Sequence, residues 1–201
     1  MLVLIVGPSG AGKDTLLNVV RGQLAGDARV RFAIRDVTRP PSAEEKNHHV
    51  SRPDFLARRE SGGYALWWEA HGLFYGINAD VKDDLAAGRV VVASVSRSIL
   101  AEAALHYPVR VVEITASPEV LAHRLAGRGR ESAGEIASRL ARQVPIPASV
   151  DCVRIVNDGA VEAAAEMLMR GEPERLSFVT PVLRPRATGS KLWFASENTW
   201  L

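Results

Sequence analysis

The sequence predicts an α/β fold in which a mostly parallel sheet is flanked by helices, and three observations predict it. Short β-branched runs alternate with helical stretches along most of the chain. The clear strands are nearly continuous apolar runs, which is typical of parallel strands buried on both faces. A glycine-rich turn joins the first strand to the first helix. The 201 residues suffice for one compact domain, and a hydrophobic content of 47% excludes a chain that is disordered throughout.

The predicted elements follow one another in a regular order. The first strand is LVLIV at 2–6, and a helix follows from about Lys13 to Leu24. A strand at 30–34 leads into a polar, proline-containing segment at 35–51, which is predicted to be a loop. The runs YALWW and LFYGI are separated by a turn and predict a hairpin at 64–77. The other predicted strands are 89–95, 109–115 and 152–157, and the other predicted helices are 53–60, 79–88, 96–106, 117–127, 133–144 and 161–170.

The composition limits the class of protein. A single cysteine, Cys152, excludes an internal disulfide and favours a reducing cytoplasm. No apolar run approaches the roughly 18 residues of a membrane span, and the start of the chain lacks the features of a signal peptide. The net charge of +2 gives no reason to expect nucleic acid as a partner. We expect a cytoplasmic protein that acts on small molecules, as either a monomer or a homodimer.

The stretch GPSGAGKDT follows the first strand and opens the first helix, which is the context of a phosphate-binding loop. Glycines let backbone N–H groups converge on phosphate oxygens, and the helix N-terminus adds positive potential. The lysine of the stretch reaches the terminal phosphates. The predicted nucleotide-binding residues of this loop are Gly7, Pro8, Ser9, Gly10, Ala11, Gly12, Lys13, Asp14 and Thr15.

Asp14 occupies the position where such loops normally carry a serine or threonine that binds Mg²⁺. A carboxylate is also a hard oxygen ligand, so Asp14 is predicted to hold the ion directly or through water. Thr15, the next residue, offers a second oxygen. The sequence contains no Asn-Lys-x-Asp motif for reading a guanine base, which disfavours a GTPase. The loop is therefore predicted to bind ATP together with Mg²⁺.

Arginines are concentrated in the segment HRLAGRGRESAGEIASRLAR, which contains Arg124, Arg128 and Arg139. Enzymes that transfer phosphoryl groups rely on positioning and on neutralising the charge of the transferred group. Arg128 lies in a polar break between two helices, where a mobile segment would place it over the nucleotide. Glu131 and Glu135 leave open the alternative that these arginines form a solvated helix face.

Together these motifs resemble the guanylate kinase family. The phosphate loop, TRP at 38–40, HGLFYG at 71–76, the arginine-rich segment and IVND at 155–158 occur in the family's order, over about residues 2–170. The resemblance implies a P-loop kinase with a small β-rich acceptor-binding lobe and an arginine-bearing lid. The implied divisions are a kinase domain at 1–170, the lobe at about 35–80, the lid at about 124–142, and a C-terminal tail of unknown role at 171–201.

The resemblance also implies roles for individual residues. Arg39 and Tyr75 match residues that hold the phosphate of the acceptor, and Asn157 and Asp158 match the segment beside the adenine pocket. Glu69 either orients the acceptor site or is a surface carboxylate. The implied catalytic residues are Lys13, Arg124, Arg128 and Arg139.

The positions that read guanine in the family do not match. Leu66, Val95 and Arg35 stand in the places of a glutamate, an aspartate and a serine. A hydrogen bond to a charged group contributes roughly 1.5–3 kcal/mol, so losing two carboxylates lowers discrimination for guanine by about 10²–10⁴. Arg35 and Arg97 instead bring positive charge where the family reads an uncharged ring, which suits a second phosphate on the acceptor.

With GKD in the loop and SR at 96–97, the pattern is similar to the ribose 1,5-bisphosphate phosphokinase branch of the family. That branch makes 5-phosphoribosyl 1-diphosphate (PRPP) from ATP and ribose 1,5-bisphosphate in phosphonate catabolism, so the resemblance implies this reaction. Three alternatives stay open. They are a guanylate kinase acting on GMP, a kinase-dead binding module of the same family, and a kinase for a simple sugar that uses Asp36 or Glu69 as its base.

Overall fold

The computed structural model describes residues 1–40, 47–126, 144–148 and 150–170. Several predictions therefore lie outside the described residues: Arg128, Arg139, most of the lid, and the tail at 171–201. The strands are β1 (Leu2–Val6), β2 (Val30–Phe32), β3 (Arg35–Val37), β4 (Asn47–His49), β5 (Tyr64–Ala70), β6 (Leu73–Asn78), β7 (Val90–Ser94), β8 (Val109–Thr115) and β9 (Cys152–Val156). The helices are α1 (Lys13–Gln23), α2 (Arg52–Glu60), α3 (Val81–Ala86), α4 (Leu100–His106), α5 (Pro118–Ala126) and α6 (Val161–Arg170), and a 3-10 turn at Arg97–Ile99 precedes α4.

Five parallel strands form the central sheet, in the order β2-β7-β1-β8-β9. Alternate residues of β1 enter the cores on opposite faces of this sheet, with Val3 and Ile5 on one side and Leu2 and Leu4 on the other. One face is covered by α1 packed against α6. The apolar runs of β1 and β7 thus follow from burial on both faces, and the predicted fold class is confirmed.

A second sheet of four strands, in the order β4-β3-β6-β5, forms the small lobe. The predicted hairpin is present as β5 and β6, which pair antiparallel. The prediction of a loop over 35–51 was wrong for β3 and β4, which add to the edge of this hairpin through β6. Their side chains are mostly polar, so no apolar alternation marks them. Their conformation is decided by pairing, of β3 with β6 and of β4 with β3.

The two faces of the lobe have different partners. Leu66, Trp68 and Ile77 share a buried cluster with Leu4 and Leu100, so this face packs toward the central sheet. Helix α2 covers the other face. There the Phe55 ring stacks on Tyr64 at a centroid distance of 4.5 Å and on Phe74 at 5.4 Å.

A buried carboxylate ties the α2 side of the lobe together. Asp36 is 1% exposed and accepts hydrogen bonds from Arg58 Nη1 at 2.5 Å, Tyr64 Oη at 3.0 Å and Asn78 Nδ2 at 3.2 Å. Burial, together with the hydrogen bond to this carboxylate, raises the pKa of Tyr64. The donors come from α2, β5 and β6, so Asp36 fixes the helix on the sheet.

No helix among the described residues combines the length and the apolar character that a membrane crossing requires.

Candidate active site

The glycine-rich loop between β1 and α1 has a backbone that only glycine fits. At Gly12 the φ angle is +81°, and an added Cβ would lie 2.6 Å from Nδ2 of Asn157. At Gly7 an added Cβ would lie 1.9 Å from the carbonyl oxygen of Ile114 at the end of β8. The loop therefore runs in close contact with the carboxyl ends of the central strands, where open α/β sheets bind their ligands.

The amino end of α1 is open to an anion. Gly12 caps it in the left-handed conformation and, having no side chain, makes no capping hydrogen bond to the helix. Lys13 Nζ donates to the carbonyl oxygens of Gly7 at 2.8 Å and Pro8 at 2.9 Å, so the ammonium lies across the loop. The N–H groups at a helix N-terminus, together with a lysine beside them, form an anion-binding arrangement that suits nucleotide phosphates.

Two predicted residues hold this loop from outside, and a third holds the start of α5. Asn157 is 4% exposed, and its Nδ2 donates to the carbonyl oxygen of Ala11 at 2.8 Å. Arg124 Nη1, from α5, lies 3.5 Å from the carbonyl oxygen of Gly10. Asp158 Oδ1 accepts from the backbone N–H of Ser117 at 2.7 Å, just before α5 begins. In this structure Asn157 and Asp158 therefore position the loop and the start of α5.

A cleft of about 460 Å³ lies between the glycine-rich loop and the lobe. It brings together predicted residues from both sides: Lys13, Asp14, Thr15, Arg35, Arg39 and Tyr75. The glycine-rich loop forms one wall of the cleft and the lobe forms the other.

The register of the strands determines which side chains of the lobe face the cleft. Tyr75 pairs with Val37, two residues along β3 from Arg35, so Arg35 and Tyr75 project from the same face. The Trp68 ring, opposite Tyr75 on β5, stacks on it at 5.4 Å with an interplanar angle of 6°. Arg35 thereby lies beside an aromatic wall.

Arg35 also connects the lobe with the glycine-rich loop. Its Nε donates to Asn47 Oδ1 at 3.1 Å, and its Nη2 lies 3.7 Å from Asp14 Oδ1. Asn47 was missed at the sequence level because β4 has no apolar pattern. Its amide oxygen orients the guanidinium toward the cleft.

Two carboxylates suggested by the sequence do not reach the cleft. Glu69 is exposed and lies between Trp68 and Ala70, both of which line the cleft, so strand alternation turns Glu69 to the opposite face. Asp36 is buried under α2 on that same face. Neither can serve as a base for an acceptor in the cleft.

Arg97 does not line the cleft in this structure. Its Nη2 donates to Glu113 Oε1 at 2.6 Å, and its side chain is 10% exposed. The other oxygen of Glu113 accepts from Arg154 Nε at 2.7 Å. The predicted pair Arg35 and Arg97 is therefore not brought together.

The donor set suits Mg²⁺ bound mainly through nucleotide phosphates. Asp14 and Thr15 both line the cleft, next to Lys13. Within the part of the chain that the structure describes, no group of three or more His, Cys, Asp or Glu side chains could hold a metal ion. Mg²⁺ in phosphate-transfer sites is typically held by one or two protein oxygens together with substrate phosphates and water.

Similarity to known proteins shows the family of the chain. The sequence profile of the family described as "Guanylate kinase" matches residues 1–170. A ribose 1,5-bisphosphate phosphokinase from Methylobacterium radiotolerans is 48% identical over 169 residues, which cover 84% of this chain and 94% of the relative. One from Acidiphilium cryptum is 48% identical over 163 residues, covering 81% and 87%.

Among solved structures, a guanylate kinase from Anaplasma phagocytophilum superposes with a TM-score of 0.57 at 19% identity, over 83% of this chain and 80% of that one. A sugar kinase from Janibacter sp. HTCC2649 gives a TM-score of 0.51 at 16% identity, over 90% and 96%. At these identities the superpositions bear on the fold alone. The profile match spans all of the described residues, and the chain belongs to the guanylate kinase family.

Proposed function

We propose that this protein is an ATP-dependent phosphotransferase that converts ribose 1,5-bisphosphate to PRPP, with ADP as the second product. The observation that carries the proposal is Arg35, which lines the acceptor cleft where the family reads guanine with a serine. Leu66 is buried in the core at 2% exposure, and Val95 lines the cleft with an apolar side chain. The cleft thus offers a cation in place of base contacts, and relatives at 48% identity carry the name of this activity.

On the nucleotide side, the loop N–H groups and Lys13 would hold the ATP phosphates. Asp14 and Thr15 would hold Mg²⁺ as oxygen ligands beside them. When bound, Mg²⁺ supplies neutralising charge for the phosphates of the nucleotide. Asn157 keeps the loop in its curved conformation through the carbonyl of Ala11.

On the acceptor side, Arg39 and Tyr75 would hold the 1-phosphate and Arg35 would hold the 5-phosphate. Tyr75 pairs with Val37, and Arg35 lies two residues from Val37 along β3. At the rise of a β-strand, two residues correspond to about 7 Å. A ribose ring with a phosphate on each side spans a gap of this order. A guanidinium recognises a phosphate by paired N–H donors, which selects for a second phosphate at that end.

The transfer requires no general base. An oxygen of the 1-phosphate, already ionised, forms a bond to the γ-phosphorus, while the bond from that phosphorus to the bridging oxygen breaks and ADP leaves with the electron pair. This agrees with a cleft that neither Asp36 nor Glu69 faces. Arg124, with Arg128 and Arg139, which lie outside the described residues, would neutralise the developing charge.

An acceptor comparison tests the proposal. The protein is given MgATP with ribose 1,5-bisphosphate, GMP or ribose 5-phosphate, and ADP and the phosphorylated product are followed. We expect efficient formation of PRPP and little turnover of GMP. Preference for GMP would make the protein a guanylate kinase, and transfer to none of the acceptors would favour a binding module.

A further inference from the structure

A second, smaller pocket adjoins the cleft behind Arg35. Arg35 and Asp14 line both spaces and form the wall between them. From this wall the pocket continues between α1 and the strands β2 and β7. Its polar lining, besides these two residues, consists of Asn18, Arg21, Asn47 and Ser94.

Arg21 is held at the edge of this pocket by two residues that also line it. Its Nη1 donates to Asn18 Oδ1 at 2.9 Å, and its guanidinium lies 5.3 Å from the centre of the Phe32 ring. Such a cation–π contact fixes the plane of the guanidinium. Burial lowers the pKa of Arg21 and the charge of Asp14 opposes that shift, but an arginine stays charged at neutral pH.

Ser94 supplies an unused hydrogen-bonding group. It is 6% exposed at the carboxyl end of β7, and its Oγ has no hydrogen-bond partner among the described residues. Buried polar atoms are nearly always paired, so an orphaned hydroxyl that lines a pocket indicates a ligand or a water there. A serine side chain turns about its Cα–Cβ bond to suit that partner.

The charges of the pocket favour a dianion once the nucleotide site is filled. Arg21 and Arg35 contribute two positive charges, and Asp14 offsets one of them. Engagement of Asp14 by Mg²⁺ would remove this offset, leaving two guanidinium groups and a hydroxyl around one small space. Paired guanidinium groups are the usual protein partners of a phosphate.

We propose that this pocket is the subsite for the 5-phosphate of the acceptor, and that Arg21 and Ser94 act with Arg35 as its specificity residues. The proposal rests on the function proposed above. It replaces Arg97 with Arg21 as the second arginine of the subsite, because Arg97 pairs with Glu113 away from the cleft.

Ligands that carry one phosphate each separate the two ends of the acceptor. Binding of ribose 5-phosphate and of ribose 1-phosphate is measured by calorimetry, with Mg²⁺ and a non-hydrolysable ATP analogue present. We expect the affinity for ribose 5-phosphate to fall about tenfold in Arg21→Ala and about fivefold in Ser94→Ala. The affinity for ribose 1-phosphate should be unchanged in both variants. Arg21→Gln keeps the aliphatic stem over Phe32 and is expected to behave like Arg21→Ala.

Arg29→Ala is the matched control, because Arg29 pairs with Asp27 on the surface and lines neither space. Equal affinity for ribose 5-phosphate in wild type, Arg21→Ala and Arg21→Gln would overturn the subsite proposal. An equal loss of affinity for ribose 5-phosphate and ribose 1-phosphate would also overturn it. Failure of the proposed function looks different. In that case wild type forms no PRPP, while ribose 5-phosphate still binds in a manner that depends on Arg21.

Discussion

Arg35 contacts both halves of the cleft, so small changes around it are expected to alter acceptor binding. Asn47 orients it from the lobe, and Asp14 lies near it on the glycine-rich loop. Both neighbours carry side-chain oxygens that face the guanidinium. The position of the Arg35 guanidinium therefore depends on both of these residues.

Asn47→Ala removes the acceptor of the Arg35 Nε hydrogen bond. A bond of this type contributes about 1 kcal/mol, so we expect the KM for ribose 1,5-bisphosphate to rise about fivefold while the KM for ATP is unchanged. Asn47→Gln keeps an uncharged amide oxygen on a longer side chain and should restore part of the affinity. Steady-state kinetics with each substrate varied in turn check this, and a rise in both KM values would contradict a positioning role.

Asp14→Ala tests the metal role of the loop carboxylate. We expect nucleotide binding in the presence of Mg²⁺ to weaken by about tenfold or more, because a direct or water-mediated ligand is lost. Nucleotide binding in EDTA should change little. Titrations of the nucleotide in both conditions check this, and an equal loss in both would remove Asp14 from the metal site.

At the scale of elements, the glycine-rich loop depends on close packing against β8 and Asn157. Much of this element could be predicted, because the glycine spacing and the flanking strand and helix specify the geometry. Helix periodicity could also have found Arg21, since Asp14, Asn18 and Arg21 lie at i, i+4 and i+7 on one face of α1. In the same way, the two-residue period of a strand would have placed Glu69 on the face of β5 opposite Trp68.

Gly12→Ala is expected to abolish tight nucleotide binding and to lower the melting temperature. The change adds left-handed strain of about 1–2 kcal/mol and a collision with Asn157. Gly26→Ala is the matched control, because Gly26 has a φ of +85° with nothing within 4 Å of an added Cβ. Gly26→Ala should lower the melting temperature through the backbone strain alone, and it should bind nucleotide normally. Normal nucleotide binding by Gly12→Ala would contradict the contact with Asn157.

At the scale of the whole molecule, the features that could not be predicted depend on contacts between residues distant in sequence. The polar strand β3 forms because β6 offers it an edge, and β4 pairs in turn with β3. Arg97 turns away from the cleft because Glu113 of β8 lies beside it. The parallel sheet, the hairpin and the loop could be predicted from local patterns. Pairings between side chains of neighbouring strands could not, because no periodicity encodes them.

Asp84 of α3 joins separate parts of the molecule through Arg31 of β2 and Arg89 before β7. Burial raises the pKa of Asp84, but the hydrogen bonds from both arginines outweigh this and hold it below its usual value. Because the pKa of Asp84 is lower in the folded state, its ion pairs stabilise the folded protein at neutral pH. This stabilisation is lost as the pH falls below about 4.

Asp84→Asn should therefore lower the free energy of unfolding by about 2 kcal/mol at pH 7. The difference from wild type should narrow as the pH falls below about 4, because protonation of the carboxyl in the unfolded state then removes the advantage of the ion pairs. Urea unfolding at a series of pH values checks this. A difference that stays constant over that range would contradict the ion-pair account.

The exchange of a guanine-reading pocket for a phosphate-reading one through Arg35 is tested most directly by Arg35→Ala, with Arg29→Ala as control. The KM values for ribose 1,5-bisphosphate and for ATP are measured on each variant beside wild type. We expect Arg35→Ala to raise the KM of the bisphosphate by about tenfold to a hundredfold, with the KM of ATP and both values of Arg29→Ala unchanged. An unchanged KM for the bisphosphate would remove Arg35 from the acceptor site and contradict the account.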